Sequence, residues 1–122
     1  MSRDRFKQIA SFLRFDNFET RDERRLVDKL APIRNVFHIF TSNCKKSLYP
    51  GDHLCVDEQL VPFRGKAPFR VYMKSKPDKY GIKIWALVDC TTSYIANMQV
   101  YLGKFFEKQN GQTLIFMYLF IF

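Results

Sequence analysis

Two adjacent carboxylates, Asp57 and Glu58, interrupt the apolar run from Leu54 to Leu60. An ionised carboxylate inside an apolar strand is costly unless a cation or hydrogen bonds meet it. Three outcomes are therefore open: a metal ligand, a partner for a nearby Arg or Lys, or a position on the wet face of the strand. A basic stretch follows at once. Between Phe63 and Lys79 lie Arg64, Lys66, Arg70, Lys74, Lys76 and Lys79 against a single acid, Asp78, with Phe63, Phe69 and Tyr72 interleaved. Cations with spaced aromatics suit a strand of nucleic acid, through phosphate contact and base stacking. The plainer alternative has the rings folding inward and the lysines keeping the loop solvated. Asp89 could join Asp57 at a metal, although an Asp at a strand end more commonly bonds its own turn backbone.

The 122 residues, 47% hydrophobic and 16% aromatic, provide core material for one small domain. Twenty basic against twelve acidic side chains leave a net charge of +8. That balance attracts polyanions, with nucleic acid ahead of an acidic membrane surface; a generic basic protein is the alternative. Cys44, Cys55 and Cys90 form no Cys-x-x-Cys pair, which gives zinc no support, and the odd count with no apolar leader behind Met1 implies a reducing compartment.

These residues need elements to position them. Ser2 can cap a helix over about Arg3 to Phe15, with Phe6, Ile9, Ala10 and Leu13 as its apolar stripe. The polar stretch from Asn17 to Asp28 reads as a connector with at most a short helical turn. A second helix is expected from about Lys29 to Lys45, with Pro32 in its first turn and Leu30, Ile33, Phe37, Phe40 and Cys44 as its seam. Tyr49-Pro50-Gly51-Asp52 turns the chain. Strands are expected over His53 to Leu60, Ile82 to Asp89 and Tyr94 to Leu102, the last two joined as a hairpin. Apolar residues on both faces of the middle segment predict a central strand. Asp57 shares one face of the first strand with Cys55 and Gln59, opposite Leu54, Val56 and Leu60. From Phe105 the character changes, and Thr113 to Phe122 is nearly all apolar, too short for a membrane-spanning helix of about 20 residues.

The opening Met1-Ser2-Arg3-Asp4-Arg5-Phe6, then Pro50-Gly51, Leu54-Cys55-Val56-Asp57-Glu58-Gln59, Phe63-Arg64-Gly65-Lys66, Lys76-Pro77-Asp78-Lys79-Tyr80-Gly81-Ile82-Lys83 and Tyr101-Leu102-Gly103 follow in the same order as in piggyBac-type transposases. The resemblance covers about residues 1 to 104. It implies an α+β fold: helices of a dimerisation and DNA-binding region (1–52), then the first antiparallel strands of an incomplete RNase H-like core (53–104), followed by an atypical apolar tail (105–122). In that family three Asp on separate elements hold two divalent ions, normally Mg²⁺, and cut and rejoin DNA. Asp57 stands at the first of these positions, as catalytic residue and metal ligand. The second and third fall beyond the hairpin, and Asp89 does not align with either. The expectation is therefore a truncated, catalytically incomplete remnant that binds Mg²⁺ weakly at most and shows no enzymatic activity as the chain stands. It would contact DNA through Arg64, Lys66, Arg70, Lys74, Lys76, Lys79 and Lys83, in the nucleus and away from membranes. The alternative is a domesticated module that pairs with a full-length transposase-like protein or forms a homodimer.

Overall fold

The computed structural model describes residues 1–103. Among these residues three helices precede four strands, an α+β arrangement. The described residues form two compact units that divide within the third helix, between His38 and Ile39.

In the first unit, α1 spans Arg3–Phe12. Ser2 caps it as expected, its Oγ accepting from the Arg5 N–H at 3.2 Å, and Asp4 sits favourably in the first turn. The helix stops short of Phe15 because Leu13 turns to an extended backbone. None of its residues is buried, and the stripe of Phe6, Ile9 and Leu13 faces solvent. The polar connector is more ordered than its composition suggests. Asp16 receives Arg21 Nε at 3.0 Å and Arg24 Nη2 at 2.9 Å, with a further short contact to Arg21 Nη2. These contacts brace α2, Arg21–Val27. Asp28 then accepts from the Leu30 N–H (2.9 Å) and takes Arg34 in a two-point ion pair (2.6 and 2.7 Å). The chain between them is turned, not helical, so α3 spans Arg34–Ser47 and starts after Pro32. Leu30 and Ala31 are buried; Ile33 of the expected seam is exposed.

In the second unit, the inward line of α3 is Thr41 and Cys44, three apart, continued past the helix end by the half-buried Leu48, while Phe40 is exposed. Strands follow as β1 (Leu54–Pro62), β2 (Arg70–Tyr72), β3 (Tyr80–Asp89) and β4 (Ile95–Val100). β3 is the central strand, as its two-sided apolar pattern predicts. It pairs antiparallel with β1 along its whole length on one side, and with β2 and then β4 on the other. β2 is a short fourth strand inside the basic stretch from Phe63 to Lys79, where no strand was expected. Between Leu87 and Val88 the register with β4 slips, Leu87 facing Asn97 and Val88 facing Ile95. The skipped residue, Ala96, is buried with Leu87 in a small core that Leu54, Val56 and Trp85 complete. Tyr94 ties the sheet to α3, its hydroxyl donating to the Cys44 carbonyl at 2.8 Å.

Asp89 closes the β3–β4 turn, as an Asp at a strand end is expected to. It is 2% exposed and accepts from the Thr91 and Thr92 N–H groups (2.8 and 3.0 Å) and, across the chain, from Gly51 (2.8 Å). No helix among the described residues is long and apolar enough to cross a membrane. The expectations for residues 105–122 lie outside the described residues.

Candidate nucleic-acid interface

The alternation of β1 separates the acidic pair. Asp57 points to the exposed face with Cys55 and Gln59; Glu58 points to the half-buried face with Leu54, Val56 and Leu60. Each carboxylate meets a different fate. Glu58 finds a cation: Lys83 Nζ lies 2.7 Å from its Oε2. That ammonium also sits 4.0 Å from the Trp85 ring centroid and 5.5 Å from that of Tyr101. Two aromatic rings and a carboxylate thus hold one half-buried lysine, so neither charge is left unpaired. Asp57 remains on the wet face, and its Oδ1 accepts from the neighbouring Glu58 N–H, at 2.7 Å.

The basic residues separate likewise. Lys83 is occupied by Glu58. Lys76 reaches back to the acidic pair, its Nζ 3.3 Å from the Glu58 carbonyl oxygen. Arg70 Nη1 donates to the carbonyls of Arg64 (3.4 Å) and Gly65 (3.3 Å), pinning the loop after β1. Arg64, Lys66, Lys74 and Lys79 are exposed. Arg64, Arg70 and Lys79 line a shallow cleft of about 280 Å³ with Pro62, Asp78 and Tyr80. The interleaved aromatics divide too: Phe69 is half-buried, Phe63 covers Gly65, and Tyr72 stays exposed. Tyr80, which sequence reasoning passed over as an aromatic contact, lies beside Tyr72. Its position directly before Gly81 at a strand start was the available signal.

A two-ion site needs several converging oxygen ligands. Among the described residues no three His, Cys, Asp or Glu side chains are placed to hold a metal. The described residues therefore do not fit a Mg²⁺ pair.

With this geometry in view, comparison with known proteins places the chain in a class. The family model described as Transposase IS4 matches residues 1–117, past Phe105, where the sequence reading ended the likeness. A solved structure, the cryo-EM structure of a piggyBac transposase synaptic complex with hairpin DNA, superposes with a TM-score of 0.79 at 44% identity, over 85% of this chain and 22% of that one. The chain belongs to the piggyBac transposase-derived family. Human PiggyBac transposable element-derived protein 3 is 31% identical over 106 residues, 85% of this chain and 17% of the relative. The human chimeric ERCC6-PGBD3 protein matches at the same identity over 9% of its length. The chain thus spans less than a quarter of each relative.

Proposed function

We propose that this chain is a DNA-binding remnant of a cut-and-paste transposase, working in the nucleus without strand cleavage of its own. The observation that carries the reading is the basic loop. Arg64, Lys66, Lys74 and Lys79 are exposed, Arg64 and Lys79 at a cleft shared with Tyr80, on a chain with net charge +8. Such a surface neutralises phosphates without base readout, so binding is expected to be sequence-tolerant and salt-dependent. That the solved relative is a complex with hairpin DNA supports the same direction. Among the described residues Asp57 would give a Mg²⁺ ion a single carboxylate, which supports weak metal binding and no two-ion chemistry. The test is equilibrium binding to a labelled duplex. Replacing Arg64, Lys66, Lys74 and Lys79 together by Gln should weaken affinity at least about tenfold at moderate salt. Unchanged affinity in the quadruple variant would rule out this surface as the interface.

A second reading has its own observation. Phe12, Phe18, Leu26 and Val27 are each more than two-thirds exposed, and the outer edge of β1 pairs with no strand among the described residues. Both suit a module that pairs with a full-length transposase-like protein or with a second copy. Co-purification with a complete relative would favour it.

A further inference from the structure

At the end of the sheet where β2 joins β3, Tyr72 and Tyr80 are direct cross-strand partners. Their ring centroids are 4.9 Å apart and the rings are tilted by 56°. The Arg70 guanidinium lies 5.5 Å from the Tyr80 centroid, and its bonds to the Arg64 and Gly65 carbonyls hold it there. Arg70, Tyr80 and Tyr72 thus form a short ladder in which each group is positioned by its neighbour. Yet the two tyrosines are 54% and 55% exposed. Cross-strand aromatic pairs gain stability mainly by burying ring surface, and this pair leaves much of it in water. Phe63 is used differently: it covers Gly65 so closely that a Cβ there would meet its ring at 2.5 Å. The cleft beside Tyr80 carries three cations, Arg64, Arg70 and Lys79, against the one carboxylate of Asp78. Direct register pairs put Tyr72, Tyr80 and Asp57 on the same face of the sheet. Tyr80 is six steps along β3 from Ala86, the position opposite Asp57, about 20 Å at strand rise, so the ladder is distinct from the acid.

We propose that Tyr72 and Tyr80 form a stacking platform for an unpaired DNA base, with Arg64 and Lys79 holding its flanking phosphates. The proposal rests on the DNA-binding reading and narrows it from any DNA to DNA with bases outside the duplex. The physical ground is the difference between the two kinds of contact. Cations serve every polyanion alike, whereas a base inside a duplex is already covered on both faces and offers an exposed ring nothing to stack on. A guanidinium-braced tyrosine pair at the mouth of a basic cleft favours the single strand.

The test compares binding of the whole chain to a fluorescein-labelled oligothymidylate and to a duplex of equal length at the same salt. The single strand should bind tighter. The Tyr72→Ala/Tyr80→Ala variant should lose about tenfold for the single strand and no more than about twofold for the duplex, while Tyr72→Phe/Tyr80→Phe, which keeps the rings, should retain both affinities. Photocrosslinking of unmutated protein to a 5-iodouracil oligonucleotide removes any dependence on how the alanine variant folds, and the adduct should map to Tyr72 or Tyr80. Adducts only at other residues, or no preference for the single strand, would overturn the platform while leaving duplex binding intact. Absence of binding to either DNA would overturn the platform and the DNA-binding reading together.

Discussion

At Asp16, Asp28 and Asp89 the chain spends carboxylates on architecture. Arg21 foremost, then Arg24, holds the Asp16 carboxyl at about 2, down from 3.8, against the opposing effect of desolvation. Arg34 lowers that of Asp28, and the N–H groups of Gly51, Thr92 and Thr91 lower that of Asp89. A depressed folded-state value means that the unfolded chain binds more protons between the two values. Stability is then fully present above the unfolded value and falls with pH toward the folded one. The urea midpoint should accordingly be flat above about pH 5 and drop between about pH 4 and pH 2. Asp16→Asn should lower the midpoint at pH 6 and flatten the acid limb; an acid limb identical to that of the parent would remove Asp16 as a cause. The adjacent acids at positions 57 and 58 show what sequence can tell at this scale. Alternation grouped Asp57 with Cys55 and Gln59, apart from Leu54, Val56 and Leu60, and the strand keeps that division, whereas which face meets water was left open. That Lys83 belongs to Glu58 was hidden, because the pair depends on β1–β3 register and not on spacing along the chain.

Among the elements, β3 decides the arrangement, and one glycine decides how β1 meets it. A Cβ on Gly81 would lie 2.3 Å from the Val61 carbonyl oxygen and 2.9 Å from its carbon, a clash with backbone that cannot step aside. Gly81→Ala should therefore pry the end of β1 from β3 and cost about 1–3 kcal/mol or more, read as a lower denaturant midpoint with loss of amide protection in Val61 and Ile82. A midpoint equal to that of the parent would mean the strands pack more loosely than described. Leu87→Ala, at a fully buried position, should cost about 2–5 kcal/mol. Strands β1, β3 and β4, the central place of β3 and the capped first helix were legible because period-two alternation and a Ser cap are local signals. The start of α3 was not. Pro32 looks like a first-turn proline, but the Asp28–Arg34 pair and the Asp28–Leu30 bond hold the preceding residues in turns. Strand β2 was missed because three residues among lysines carry too little pattern, and only pairing with β3 reveals them.

For the whole molecule, charge and family point the same way. If the exposed cations of the loop each neutralise a phosphate, the slope of log affinity against log salt should be about −3 to −5, and the Gln quadruple variant should flatten it by about 3 to 4. A slope unaltered by those substitutions would shift the interface elsewhere. Motif order in the sequence was sufficient to indicate the family. The candidate site was only partly legible: the loop cations are apparent from composition, whereas the division between engaged Lys76 and Lys83 and exposed Arg64, Lys66, Lys74 and Lys79 appears only in three dimensions.

The account turns on DNA being held without being cut. Supercoiled plasmid incubated with the purified chain and Mg²⁺, then followed for both retardation and nicking, measures the two properties in one reaction. Retardation that weakens with salt, with plasmid still fully supercoiled after removal of protein, is the predicted result. Mg²⁺-dependent nicking that disappears in Asp57→Ala would contradict it.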